Sequence, residues 1–117
     1  MAFVTEAKKR GFEVHVSITV YYMSRTDRWV DEPDRLATVH PEWVNVSNEG
    51  YTATSDGHQA IFADPANDAY HNMLTNYVKE LFSLYPDLDG INLDYIRYPD
   101  KASAGREFGY TIASMQK

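Results

Sequence analysis

Asp94, Tyr95, Arg97 and Tyr98 stand within five residues of one another. Together they bring a carboxylate, a guanidinium and two flat rings to one short stretch. That combination suits sugar chemistry, because an aromatic face with a polar tip stacks on a pyranose ring while a carboxylate works at the glycosidic carbon. Glycoside hydrolysis needs two carboxyl groups, one to protonate the leaving oxygen and one to attack or to activate water. Asp94 is the catalytic candidate, as nucleophile or stabilising carboxylate; no partner acid can be named. Its bland alternative is an aspartate that caps the following loop or pairs with Arg97. Arg97 either binds a sugar acid, holds Asp94 ionised through a charge-assisted bond, or forms an ordinary ion pair. Tyr95 and Tyr98 are candidate sugar contacts with a core role as the alternative. Asn92 faces the same way as Asp94 and is a further binding candidate, against satisfied internal polarity. Farther off, Trp43, His40 and Tyr22 are candidates for one wall of a cleft, although a tryptophan in an irregular segment more often anchors that segment.

These residues need a strand to carry them. Asp89-Gly90 is a turn signal, Ile91-Asn92-Leu93-Asp94 alternates apolar and polar, and Pro99 ends the element. An earlier strand is expected from about Glu13 to Tyr21, with Val14, Val16, Ile18 and Val20 on one face and His15, Ser17, Thr19 and Tyr21 on the other. His15 is expected to hydrogen-bond on that polar face. Before this strand, residues 3 to 10 read as the last turns of a helix closed by Gly11, with Lys8-Lys9-Arg10 complementing its dipole. Between the strands, Tyr70, Met73, Leu74, Tyr77, Val78, Leu81 and Phe82 recur at helical spacing, predicting a helix to about Leu84 that Asp64 caps and Pro65 opens. From Tyr22 to about Ala63 the pattern lapses, around Pro33, Pro41, Gly50 and Gly57, with short pieces expected near Trp29 and Trp43. A final helix is expected to begin at Tyr110.

Strand, helix and strand of this length imply two parallel strands joined by a crossover. Both strands put aliphatic residues on one face and polar residues on the other. A doubly wound sheet is apolar on both faces, whereas one apolar face suits a barrel wall with helices outside and a polar cleft inside. A closed (β/α)8 barrel takes about 250 residues, and the chain has 117. The expected fold class is therefore α/β, a partial (β/α)8 barrel of about two β/α units, with residues 1–117 as one segment and the helical ends reading as cuts in a larger barrel.

Composition excludes several alternatives. The hydrophobic fraction of 44% and charged fraction of 24% are those of a globular chain, and the net charge of −6 gives no basic surface for nucleic acid. No run reaches the length of a membrane span, and the N-terminus lacks a signal-peptide pattern. The absence of cysteine removes disulfides, thiolate metal sites and thiol nucleophiles. Histidines 15, 40, 58 and 71 share no zinc-binding spacing, so no metal and no cofactor is expected. Asp87-Leu88-Asp89-Gly90 looks like the opening of a calcium loop, but the closing glutamate is missing near Pro99. Phosphate-cradling and nucleophile-elbow glycine motifs are absent. Asn45-Val46-Ser47 is a formal glycosylation sequon, without meaning in a bacterial protein. The oligomeric state is not legible.

The phrase Asp89-Gly90-Ile91-Asn92-Leu93-Asp94-Tyr95-Ile96-Arg97-Tyr98-Pro99 resembles the fourth-strand signature of the glycosidase-like barrels called glycosyl-hydrolase-like family 10. His40-Pro41-Glu42-Trp43-Val44 is similar to the segment after that family's third strand. Phe62-Ala63-Asp64-Pro65-Ala66-Asn67 is similar to the start of its next helix, and Phe108-Gly109-Tyr110 to the helix beyond the fourth strand. The resemblance covers nearly all of the chain and about the middle third of such a barrel. It implies strands three and four of a (β/α)8 fold, a polysaccharide or oligosaccharide as substrate, and a place outside the bacterial cytoplasm. In such barrels the acid/base carboxylate often lies on a later strand. A carbohydrate-binding barrel without catalysis is the alternative.

Overall fold

The computed structural model describes residues 2–25, 35–55, 59–100 and 105–116. In chain order they form α1 (Ala2–Lys9), β1 (His15–Thr19), β2 (Tyr22–Arg25), α2 (Leu36–Val39), a 3-10 turn (Pro41–Trp43), β3 (Ala60–Phe62), α3 (Asp68–Leu84), β4 (Gly90–Asp94) and α4 (Ile112–Gln116). The piece expected near Trp29, with Pro33, Gly57 and His58, lies outside the described residues.

Helix α1 ends as its sequence dictates. Gly11 takes φ +82°, donating to Lys8 O at 3.0 Å while Phe12 N–H donates to Ala7 O at 3.1 Å. This pair of bonds is the glycine-closed Schellman ending. The chain then enters β1, which pairs in parallel with β4: His15 opposite Gly90, Ser17 opposite Asn92, Thr19 opposite Asp94. Asp89 fixes the entrance. Its backbone N–H donates to Val14 O at 2.9 Å, and its carboxylate accepts from Val14 N–H and from Lys8 Nζ, both at 2.7 Å. Lys8 thus ties the end of α1 to the start of β4 in addition to complementing the helix dipole. At the exit, Val20 N–H donates to Asp94 O at 2.8 Å and Tyr21 N–H to Tyr95 O at 3.3 Å.

The strand expected from Glu13 to Tyr21 is shorter, His15–Thr19, and β2 follows it at the start of the stretch where the pattern lapses. After Val20 the backbone leaves the parallel pair, and β2 joins β3 in an antiparallel pair with an irregular step between Tyr22 and Ser24. A bridge between Val44 and Ala63 adds residues 43–45 to the far side of β3, through Asn45 N–H to Phe62 O and Asp64 N–H to Trp43 O, both 2.8 Å. Described parts of the stretch that lacks periodicity thus contribute a second small sheet, held together by backbone pairing.

Helix α3 ends at Leu84 as expected, but begins later. Asn67, not Asp64, caps it: the Asn67 side chain accepts from Tyr70 N–H at 2.9 Å. Asp64 is sealed at 1% exposure, where it accepts from Ala66 N–H, from Ser114 Oγ at 2.8 Å and from Thr111 Oγ1. It holds the start of α4 against the end of β3. The stripe on α3 packs unevenly: Tyr70 is buried, Met73, Leu74 and Val78 are half-buried, and Tyr77 and Phe82 face outward. Trp43, Ala63 and Tyr70 form the core with Tyr21, Met23, Met73 and Leu74 around them. Ile18 and Leu93 share an apolar groove of about 500 Å³ with Leu74 and Val78 of α3, so the helix borders the aliphatic face of the parallel pair, where Leu93 stays exposed. The described residues thus form a mixed α/β arrangement with one parallel pair and no closed barrel. Among them no helix is long and apolar enough to cross a membrane.

Two expectations test this framework. Tyr70 donates its phenolic hydrogen to Val20 O at the point where the chain changes sheets. Tyr70→Phe is expected to cost about 1–3 kcal/mol by leaving that carbonyl unpaired, read by chemical denaturation. Burial, with Tyr21 nearby, pushes the Tyr70 phenol from 10.0 up to about 12. The folded state holds this proton more tightly, so stability falls as pH rises from 10 towards 12, and the phenylalanine variant lacks that loss. The Lys8 ammonium, then the Val14 N–H, hold the Asp89 carboxyl below its ordinary 3.8. Its contribution is present above that value and lost as pH falls through the lower, folded one. Asp89→Asn should lower Tm at neutral pH and flatten the Tm-versus-pH curve below about pH 4.

Candidate functional site

Strand parity divides the parallel pair into two chemistries. Ile18 and Leu93 turn to α3. The alternate residues His15, Ser17, Thr19, Asn92 and Asp94 are exposed on the opposite face. Because the register is parallel and unshifted, these residues stand side by side: His15 with Gly90, Ser17 with Asn92, Thr19 with Asp94. Asn92 Nδ2 donates to Ser17 Oγ at 3.3 Å across the strands, so it is satisfied within the strip. His15 lies over Gly90, where a Cβ would meet its Nδ1 at 2.8 Å. Asp94 closes the strip at the C-terminal end of the pair, the end at which parallel barrels bind their ligands.

Beyond Asp94 the chain turns sharply. Tyr95 adopts φ +54°, and its N–H donates to Asp94 Oδ1 at 2.8 Å. Its ring meets Tyr22 at 5.1 Å and Phe62 at 6.4 Å between centroids, and Tyr22 meets Phe62 edge-on at 5.4 Å. The Arg97 guanidinium sits 5.0 Å from the Tyr95 ring and 5.8 Å from that of Phe62, and Nη1 donates to Tyr98 O at 3.2 Å. Arg97 is thus directed at rings and backbone rather than at Asp94. Tyr98 packs over Gly109, whose φ of +102° and missing side chain leave room for the phenol.

Trp43 and His40 form a separate group. Their rings stack at 3.7 Å and 7°, and Trp43 meets Tyr70 edge-on at 5.8 Å. Trp43 is 8% exposed and belongs to the core, where it anchors the segment that pairs with β3. His40 Nδ1 lies 2.9 Å from Glu42 Oε1, and this contact holds the Glu42 carboxyl below its ordinary value. The structure therefore brings Tyr22, Tyr95 and Arg97 together beside Asp94, sets Asn92 in the adjoining strip, leaves Tyr98 on Gly109, and keeps Trp43 with His40 in the second ring group.

Phe62 completes the rim cluster although sequence reasoning did not single it out as a site residue. Its signals are the apolar run Ala60-Ile61-Phe62 and its place at the head of the family-like segment Phe62-Ala63-Asp64-Pro65-Ala66-Asn67. The sequon asparagine is sealed at 0% exposure, with Oδ1 accepting from Val46 N–H at 2.9 Å and Gly109 N–H at 3.0 Å. Among the described residues, no three His, Asp or Glu side chains group as metal ligands. The grooves of about 510 Å³ beside Phe3, Arg10 and Phe12 and of about 530 Å³ beside Trp43 and Tyr77 do not include Asp94.

The family model of Glycosyl hydrolase-like 10 matches residues 1–117. The chain belongs to this family. No curated protein matches it. Glycosyl hydrolase-like 10 membership implies a barrel context for the parallel pair.

The strip itself is testable. Gly90→Ala is expected to push the His15 imidazole off β4, seen as altered ring signals in ¹H–¹⁵N spectra. The fold should remain within about 1 kcal/mol of the parent, since alanine in a strand regains part of what glycine costs.

Proposed function

We propose that this chain forms β/α units around strands three and four of a glycoside-hydrolase barrel that acts on a polysaccharide or oligosaccharide, with Asp94 as nucleophile or stabilising carboxylate at the cleft. The observation that carries this reading is an exposed carboxylate at the C-terminal end of a parallel strand, on the face opposite the covering helix. One of its oxygens is held by a backbone N–H, which orients the group. The other oxygen forms no hydrogen bond among the described residues. Thr19 and Asn92 border it with hydroxyl and amide groups suited to sugar hydroxyls. Tyr22, Tyr95 and Arg97 form the adjoining wall, with Tyr98 next along the chain, and His40 and Trp43 farther out. Family membership supports the substrate class, and the same reading puts the protein outside the cytoplasm.

The second reading is sugar binding without hydrolysis. The ring and guanidinium cluster favours it, because that cluster offers a stacking wall whether or not a second acid is present. In the intact protein, Asp94→Asn is expected to lower turnover of its polysaccharide by roughly 100-fold or more. Tm should change little, since the amide oxygen still accepts from Tyr95 N–H and the side chain is exposed. Unchanged release of reducing ends would overturn the catalytic assignment. Oligosaccharide binding that survives the substitution, with no hydrolysis by either form, would establish the binding reading.

A further inference from the structure

Tyr95 is the one described residue beside Asp94 whose backbone departs from the conformations that side chains favour. At φ +54° it occupies the left-handed region, which costs a bulky aromatic residue about 1–2 kcal/mol and is rare outside glycine, asparagine and aspartate. Such strain persists only where surrounding contacts over-determine it. Here the contacts are specific. The Tyr95 ring is pinned by Tyr22 at 5.1 Å, by Phe62 at 6.4 Å and by the Arg97 guanidinium at 5.0 Å. Its carbonyl accepts from Tyr21 N–H at 3.3 Å. Its hydroxyl holds no hydrogen bond among the described residues, so the ring acts through its faces and edge alone. What the turn achieves is local: it brings the Tyr95 N–H onto Asp94 Oδ1 at 2.8 Å.

We infer that Tyr95 is a positioning residue for Asp94, its ring anchored between Tyr22, Phe62 and Arg97 so that its strained backbone holds one carboxylate oxygen and leaves the other facing the open strip. This deepens the catalytic reading of Asp94 and rests on it for its consequence, though not for its geometry. A tyrosine whose main office was stacking on sugar would keep its ring faces free. This ring is half-buried and has neighbours on several sides. The arrangement also gives Arg97 and Phe62 a role in holding Tyr95 besides any contact with substrate.

The test reads the Tyr95–Asp94 bond directly. Amide hydrogen exchange at residue 95 in the intact protein is expected to be protected although the residue follows the last strand position. Tyr95→Phe keeps the ring and should keep the protection. Tyr95→Ala loses the anchor, and protection should fall by roughly tenfold, the worth of one hydrogen bond to a charged group. Arg97→Met, at an exposed position that folding tolerates, should lower it by roughly two- to fivefold, the range for an exposed cation over a ring. Turnover supplies the functional arm. Tyr95→Ala should slow the parent enzyme but add little in an Asp94→Asn background, as expected of residues acting through one group. An unprotected amide at 95, or equal protection in the alanine and methionine variants, would overturn the positioning role. Unaltered turnover in Asp94→Asn alone would instead overturn the catalytic reading and leave the exchange result to stand.

Discussion

The in-register parallel pairing of β1 with β4 is the constraint on which the rest depends. Side chains alternate with a period of two along a strand, so a slip of one residue in either strand would exchange its faces. Asp94 would then turn towards α3, and Leu93 would enter the polar strip. The register is fixed at both ends. At the entrance, Asp89 and Val14 exchange backbone and carboxylate bonds while Lys8 reaches in from α1. At the exit, Val20 and Tyr21 donate to the carbonyls of Asp94 and Tyr95. Between them Gly90 gives His15 the space to lie across the pair.

The second sheet makes the exit more than a strand end. The chain leaves the parallel pair at Val20, whose carbonyl takes the Tyr70 hydroxyl, and Tyr21 then serves both sheets by donating to Tyr95 and accepting from Ala63 at 2.7 Å. Its neighbour Tyr22 therefore arrives over the turn that follows Asp94. One backbone crossing thus couples the core around Tyr70 and Trp43 to the rim cluster of Tyr22, Phe62, Tyr95 and Arg97. The rim is built on paired backbone, which suits a wall that must hold its shape against a ligand.

The parts of this plan that depend on local pattern were legible in the sequence. The alternation in Ile91-Asn92-Leu93-Asp94, the polar phase of His15, Ser17 and Thr19, the glycine that closes α1 and the end of α3 all follow from short-range rules. The departures come from contacts distant in sequence. Val20 continues the aliphatic alternation, so nothing local marks the place where the chain changes sheets; the Tyr70 hydroxyl fifty positions away does. Asp64-Pro65 has the form of a helix start, yet Asn67 caps α3 because Thr111 and Ser114 claim the Asp64 carboxylate. The pairing of β2 with β3 lacks regular alternation, as the step between Tyr22 and Ser24 explains. Arg97 and Asp94 look like an ion pair in sequence, but the guanidinium finds two ring faces.

The two aspartates that sequence singles out for chemistry or capping are separated by how their oxygens are used. Asp64 is sealed at 1% exposure with Oδ1 accepting from Ala66 and Ser114 and Oδ2 from Thr111. A carboxylate so engaged and so buried is not presented to a substrate. Asp94 is exposed, with Oδ1 held by one N–H. A glycoside hydrolase sets its second acid several ångströms from the first, across the scissile bond. Asp64 cannot serve as that acid while it holds α4 to β3. Its contribution is structural: by fixing the end of β3 it supports Phe62, and through Phe62 the ring cluster beside Asp94.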